Sequence, residues 1–212
     1  MNNSYDHNAA NEKKWSRRAV TFDDKKYFIF RLLQRQLIDS IKLNSPSAFL
    51  DLGCGTGWAV RYTESSLKGN GRFVGIDLSK GMIEKAKSDS VGIPGVEFYE
   101  ASSDNLPFDT DAFETVICTN SFHHYIQPLK ALKEVKRVLK PKGRIYILDV
   151  TPDDFFIRWI NRMAKARERE HVNFYSTAEF AYMFDQAGLK YVRSSGFKIF
   201  YPLKLHVAEN KA

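Results

Sequence analysis

Short apolar runs alternate along this chain with longer segments in which apolar residues recur every three or four positions. Runs with the length of buried strands lie at 49–52, 72–79, 113–118 and 144–149, and another begins at Val96. The segments between them show helical spacing, most clearly at 128–140, where apolar residues stand at 129, 132, 135, 138 and 139. This alternation predicts βαβ units, and therefore an α/β fold around a parallel sheet.

The segments that flank this core carry signals of their own. A helix is predicted over about 25–41, and apolar residues at 155, 156, 159, 160 and 163 form one face of another helix. Ser176 and Glu179 have the spacing of a capping box, which predicts the start of a further helix. Two final strands are expected at about 191–197 and 200–208.

Alternating glycines follow the first strand. Asp51 comes near the end of the apolar run, and the glycines after it are Gly53, Gly55 and Gly57. Glycine has no Cβ, so the backbone can turn sharply there and approach a ligand closely. A helix that begins at Trp58 would direct its unpaired N–H groups at the same ligand. Strand, turn and helix together predict a nucleotide-type cofactor site.

The spacing of these glycines limits the choice of cofactor. A dinucleotide fingerprint needs a small residue at its third glycine position, where this chain has Trp58 or Val60, and no P-loop sequence occurs. The stretch from Asp51 to Gly57 instead resembles motif I of the class I S-adenosylmethionine-dependent methyltransferases, [D/E]-x-G-x-G-x-G. The resemblance implies S-adenosylmethionine as cofactor. An acid suits this cofactor because it carries a cationic amino group and a sulfonium.

The second strand of the chain extends the resemblance. It ends at Asp77, where the family carries an acid that accepts hydrogen bonds from both ribose hydroxyls. Capping of the next helix is an alternative role for Asp77, although Ser79 can fill that role.

The segment after the third strand matches the family only in part. Its Leu-Pro-Phe at 106–108 aligns with the family's G-D-A-x-x-L-P-F block, which places Ser102 and Ser103 at the adenine-binding positions. The family has an aspartate where Ser102 stands, and an uncharged hydroxyl makes a weaker contact. Asp104 could take this role if the loop shifts by two residues.

The chain after the fourth strand passes beside the cofactor's methyl group in this family. It holds Asn120, His123 and His124. Either histidine could act as a general base on a phenolic, enolic or amine acceptor, because histidine titrates near neutral pH. We favour His124, which would share a face with Asn120, four residues earlier, if this loop is helical. A role in shaping the site is the alternative for both histidines.

Residues 134–143 read E-x-x-R-V-L-K-P-x-G, which is typical of the small-molecule branch that includes the ubiquinone/menaquinone methyltransferases. The resemblance implies a three-layer, Rossmann-like fold: a seven-stranded, mostly parallel sheet with helices on both faces and an antiparallel last strand. It also implies in-line methyl transfer to a small, partly apolar molecule. The implied cofactor-binding residues are Asp51, Gly53, Gly55, Gly57, Asp77, Leu78, Ser102, Ser103 and Asn120.

Length and composition agree with one methyltransferase domain over 1–212. We expect a helical cap segment at 1–45, a cofactor-binding core at 46–150, a lid-like helix at 151–176 and a final helix with a strand hairpin at 177–212. No apolar run reaches membrane-spanning length and the first residues are polar, which predicts a cytoplasmic protein. The two cysteines, Cys54 and Cys118, are expected as buried thiols, and no Cys/His spacing indicates a metal site.

The net charge of +7 makes a nucleic-acid partner an alternative that must be weighed. Seven of the basic residues lie between Lys130 and Arg144, and on a helix with an apolar face such residues usually form a solvated surface. A small-molecule acceptor is therefore the favoured partner. RNA methylation remains an alternative, and so does a cofactor-binding partner subunit without catalysis.

Overall fold

The computed structural model describes residues 7–19, 28–41, 43, 47–68, 70–153, 162, 173–198 and 202–211. Its helices are α1 (His7–Arg18), α2 (Phe28–Ser40), α3 (Trp58–Ser66), α4 (Lys80–Ser88), α5 (Pro128–Val138) and α6 (Thr177–Gln186). Its strands are β1 (Ser47–Leu52), β2 (Gly71–Asp77), β3 (Val96–Glu100), β4 (Phe113–Thr119), β5 (Leu139–Val150), β6 (Leu189–Lys198) and β7 (Pro202–Asn210). A short 3₁₀ helix at Phe122–His124 follows β4.

Within the described residues, the seven strands form one sheet in the order β3-β2-β1-β4-β5-β7-β6. Strands β1 to β5 pair in parallel, and β7 runs antiparallel to both of its neighbours. This confirms the predicted Rossmann-like sheet with an antiparallel last strand. The chain changes direction across the sheet between β1 and β4, and open α/β sheets bind ligands at the carboxyl ends of strands at such a point.

Apolar side chains cover both faces of the sheet. Phe49 and Leu50, which are neighbours on β1, are fully buried in different clusters, because successive side chains of a strand point to opposite faces. The Leu50 cluster includes Leu132 of α5 and Phe184 of α6, and the Phe49 cluster includes Leu37 of α2. Burial on both faces explains why β1 reads as a continuous apolar run.

The boundary between α5 and β5 differs from the prediction. The helix ends at Val138 and the strand begins at Leu139, whereas the sequence pattern carried the helix through Lys140 and began the strand at Arg144. Pro141 explains the early end, since proline biases the residue before it towards extended backbone.

Three other predictions concern the flanks of the sheet. The capping box of α6 is confirmed: the Ser176 hydroxyl accepts the Glu179 N–H at 3.3 Å, and the Glu179 carboxylate accepts the Ser176 N–H at 2.8 Å. The helix predicted over 25–41 begins at Phe28 among the described residues. The predicted helix at 155–163 lies outside the described residues, apart from Arg162.

Candidate active site

The turn after β1 is fixed against the end of β2 by backbone hydrogen bonds. The N–H groups of Gly53 and Cys54 both donate to the carbonyl of Ile76, at 2.8 and 2.9 Å. Left-handed backbone occurs at three glycines of the turn, with φ of +73°, +53° and +77° at Gly53, Gly55 and Gly57. Glycine adopts this conformation without steric cost, which explains the alternating glycines of the sequence.

Asp51, at the start of this turn, is a fully buried acid. Neither of its carboxylate oxygens has a hydrogen-bond partner within the part of the chain that the structure describes. Burial, with a smaller contribution from the charge of Asp77, raises the pKa of Asp51 to about 8. A buried carboxylate without a partner destabilises the fold, and a cationic ligand group would compensate it. Asp51 therefore fits a cofactor that carries a cationic amino group.

Asp77 is held at the end of β2 by backbone donors. Its two carboxylate oxygens accept the N–H groups of Gly55 at 2.9 Å and Ser79 at 2.8 Å. Ser79 caps α4 by accepting the Met82 N–H, so Asp77 is not needed for that role. Burial raises the pKa of Asp77 and the backbone hydrogen bonds oppose that rise. Each oxygen keeps a second lone pair that can accept a hydrogen bond from a ligand hydroxyl.

Ser102 and Asp104, the two residues that the sequence offered as acceptors for adenine, lie together in the loop after β3. The Ser102 hydroxyl donates to a carboxylate oxygen of Asp104 at 2.6 Å. The ammonium group of Lys130 lies 3.8 Å from the other carboxylate oxygen. The charged acceptor of this loop is therefore Asp104, and Ser102 orients it.

The loop after β4 does not have the helical geometry that the sequence prediction assumed. Asn120 has a left-handed φ of +50°, and the 3₁₀ helix begins only at Phe122. The prediction that Asn120 and His124 share one helical face is therefore wrong. The N–H of Asn120 instead donates to the carbonyl of Leu148 on β5, at 2.8 Å.

His123 has a partner that the sequence analysis missed. Its Nδ1 lies 2.9 Å from a carboxylate oxygen of Asp149, near the end of β5. The parallel pairing of β4 with β5 is the signal that could have predicted this contact, because residues that follow one strand lie near the end of the neighbouring strand.

A cavity of about 540 Å³ joins these groups at the carboxyl ends of the strands. This volume lies within the ordinary range for small-molecule sites. The cavity is lined by every predicted site residue except Asp51 and Gly57, namely Gly53, Gly55, Asp77, Leu78, Ser102, Ser103, Asn120, His123 and His124. Apolar side chains also line the cavity, and five that were not among the predicted site residues are called the apolar wall below: Trp15, Ile29, Phe30, Ile126 and Phe174.

The remaining chemistry of the described residues is limited. Cys54 and Cys118 are buried free thiols, as predicted, and burial raises the pKa of both. Among the described residues, no cluster of His, Cys, Asp or Glu could hold a metal ion. No described helix combines the length and apolarity needed to cross a membrane.

Known proteins resemble this chain in sequence. Residues 50–147 match the family described as "Methyltransferase domain". The uncharacterized methyltransferase YcgJ of Bacillus subtilis is 29% identical over 185 residues, which are 85% of this chain and 72% of that protein. A demethylmenaquinone methyltransferase of Clavibacter sepedonicus is 39% identical over 101 residues, which are 47% of this chain and 40% of that protein.

Solved structures resemble the chain in fold. The crystal structure of YcgJ matches 84% of this chain and 98% of its own, with a TM-score of 0.71 and 22% identity. A SAM-dependent methyltransferase from Aquifex aeolicus matches 92% of this chain and 98% of its own, with a TM-score of 0.72 and 20% identity. The chain therefore matches a methyltransferase domain over residues 50–147, and its fold is that of the SAM-dependent methyltransferases.

Proposed function

We propose that this protein is a methyltransferase that uses S-adenosylmethionine and acts on a small, partly apolar molecule, which binds beside the cofactor in the cavity. The observation that carries the proposal is the mixed character of the cavity lining. The glycine turn, acidic side chains and the apolar wall of Trp15, Ile29, Phe30, Ile126 and Phe174 all line the same cavity. An apolar wall with a few polar groups is the usual form of a small-molecule site.

The acids of the site suit three parts of the cofactor. Asp51, which is buried and has no hydrogen-bond partner among the described residues, would attract the cationic amino group by its charge, although it does not itself line the cavity. Asp77 would bind the ribose hydroxyls through its remaining lone pairs. Asp104, oriented by Ser102, would accept a hydrogen bond from the adenine amino group. The protein thus supplies acceptors wherever this cofactor has donors.

RNA methylation is less favoured because four of the seven cations in the basic segment near α5 pair with acids. Salt bridges join Lys130 to Asp104, Arg137 to Glu134, Lys140 to Glu114 and Arg144 to Glu209. A groove for nucleic acid would leave such cations available to phosphates.

Replacing Asp77 with alanine should weaken the binding of S-adenosylhomocysteine by about 1–3 kcal/mol, because its ribose hydroxyls lose their acceptor. Isothermal titration calorimetry measures this loss. Glu84→Ala is the matched control: this acid pairs with Lys80 on the exposed face of α4, outside the cavity lining. Equal affinities for the two variants, or binding of NAD in place of S-adenosylhomocysteine, would contradict the proposed cofactor contacts.

The acceptor class has a direct test. The protein is incubated with S-adenosylmethionine labelled in its methyl group and with a cell extract separated into small molecules and RNA. We expect label in a small molecule that partitions into organic solvent. Label that enters RNA, with affinity for RNA that falls steeply with salt, would favour the alternative function.

A further inference from the structure

The most unusual polar pair in the cavity region joins the 3₁₀ helix to β5. Nδ1 of His123 lies 2.9 Å and 3.1 Å from the two carboxylate oxygens of Asp149, and the His123 N–H also donates to this carboxylate at 3.1 Å. Only 2% of the Asp149 side chain is exposed, against 16% of the His123 side chain. A buried acid therefore holds both the ring and the backbone of a histidine that lines the cavity.

Asp149 fixes the position of the proton on the His123 ring. Burial would raise the pKa of Asp149, but His123 and the N–H groups of Val150 and His123 hold it below its usual value. Asp149 is therefore ionised and can only accept hydrogen bonds. Nδ1 must then carry the hydrogen, which leaves the lone pair of the neutral ring on Nε2.

The surroundings of the pair suit proton transfer to a substrate. The His123 ring packs against Phe174, with ring centroids 5.1 Å apart, and against His124, with centroids 4.1 Å apart. Phe174 belongs to the apolar wall defined above. His123 thus lies beside a residue of the apolar wall, in the lining of the cavity proposed for the acceptor.

Other titratable groups near the pair stay neutral around pH 7. Burial raises the pKa of Cys118 on β4 well above its usual value and that of Tyr175, before α6, to about 12. Burial lowers the pKa of His206 on β7 to about 4. The charged residue Arg31 of α2, with Asp77 and Asp104, also lines the cavity.

We propose that His123 is the general base of the reaction, that Asp149 is its positioning residue, and that the acceptor is a hydroxyl group. This inference rests on the methyl transfer proposed above and names its substrate class. A neutral amine can attack through its lone pair before it loses a proton, and a thiol ionises near neutral pH. A hydroxyl needs a base at the moment of attack, since even a phenol ionises only near pH 10.

The proposed step transfers a methyl group to the acceptor oxygen and a proton to His123. The cofactor, when bound, supplies a methyl carbon whose bond to sulfur breaks with the electron pair going to the sulfur. The acceptor oxygen forms its new bond to that carbon while its O–H bond breaks. The proton goes to Nε2 of His123, and the carboxylate of Asp149 stabilises the imidazolium that forms.

The first test determines the tautomer of the His123 ring and does not depend on enzymatic turnover. Nitrogen-15 NMR of the protein with bound S-adenosylhomocysteine should show the hydrogen of the neutral ring on Nδ1. Asp149→Asn should move it to Nε2, because an amide no longer requires a donor at Nδ1. Asp153→Asn is the matched control. The Asp153 carboxylate accepts a hydrogen bond from the Thr177 hydroxyl, pairs with Lys204 and lies outside the cavity lining. A hydrogen on Nε2 in the unmodified protein would overturn the proposal.

The second test uses three naphthalene acceptors that differ only in the reacting atom: a naphthol, a naphthalenethiol and a naphthylamine. His123→Ala should lower turnover of the naphthol about 100-fold or more, with little change in KM and with recovery on adding imidazole. Asp149→Asn should also lower kcat for the naphthol. His123→Gln serves as a second variant if the alanine variant does not fold.

The outcomes separate this inference from the function on which it rests. Failure of the unmodified protein to bind S-adenosylhomocysteine would refute the proposed cofactor contacts. Retained binding with transfer only to the thiol or the amine, or to none of the three acceptors, would refute the hydroxyl class. Loss of turnover in His124→Ala but not in His123→Ala would assign the base to the other histidine.

Discussion

Replacing Gly57 with alanine is expected to lower the free energy of unfolding by about 2–5 kcal/mol. Its φ of +77° costs a residue with a side chain about 1–2 kcal/mol. The new Cβ would also lie 2.5 Å from the Phe98 ring and 3.1 Å from Ala86. Both neighbours are buried, so relieving the clash must shift packed side chains, at about 1–3 kcal/mol. Urea unfolding monitored by circular dichroism measures the total.

A second glycine separates these two contributions. Gly92 has a φ of +84°, and a Cβ placed there would meet no atom within 4 Å. Gly92→Ala should therefore show only the backbone cost of about 1–2 kcal/mol. If the two variants lost equal stability, the contact of Gly57 with Phe98 would not be the reason for glycine at this position.

The parts of the fold that the sequence predicted depend on local patterns. The unit from β1 through the glycine turn to α3 combines a continuous apolar run, glycines at left-handed positions and a helix that begins at Trp58. Each of these follows from residues a few positions apart. The capping box of Ser176 and Glu179 is local in the same sense, and it was confirmed for that reason.

The parts that the sequence did not predict depend on contacts between distant residues. The hydrogen bond between His123 and Asp149 joins two strand ends, and the amide of Gln34 on α2 donates to the Thr119 hydroxyl at 2.9 Å. Neither pair has a local signature in the sequence, and the first follows only from the pairing of β4 with β5. The lack of a donor for Asp51 among the described residues is likewise a property of its surroundings, which only the packed structure shows.

The local geometry after β4 shows a further limit of sequence patterns. The preference for His124 assumed helical backbone from Asn120 onwards, but the backbone at Asn120 is left-handed. Asparagine is one of the few residues with a side chain that adopts this conformation readily. Its hydrogen bond to Leu148 ties the loop to β5, and the same strand carries the Asp149 that holds His123.

Replacing Asp51 with asparagine is expected to stabilise the protein without cofactor and to weaken cofactor binding by about 2–5 kcal/mol. The affinity falls because the cationic amino group loses a buried carboxylate partner. The stability rises because asparagine removes an acid that burial disfavours in its charged form. We expect a gain of about 1 kcal/mol or more near pH 7.5, which is ~2–4 °C in Tm for a domain of this size. Thermal unfolding and titration with S-adenosylhomocysteine measure the two effects.

The pH dependence identifies Asp51 as the cause of the gain in stability. Burial raises its pKa from 3.8 to about 8 in the folded chain. Between these values the unfolded chain releases the proton and the folded chain keeps it, so this group makes stability fall as pH rises, by at most about 1.4 kcal/mol per pH unit. The advantage of Asp51→Asn should therefore be smallest near pH 4 and largest near pH 8.

Asp77→Asn should instead destabilise the protein, because an amide cannot accept both the Gly55 and the Ser79 N–H with its two terminal atoms. An advantage of Asp51→Asn that did not change with pH, or unchanged affinity for S-adenosylhomocysteine, would contradict the role of this buried acid.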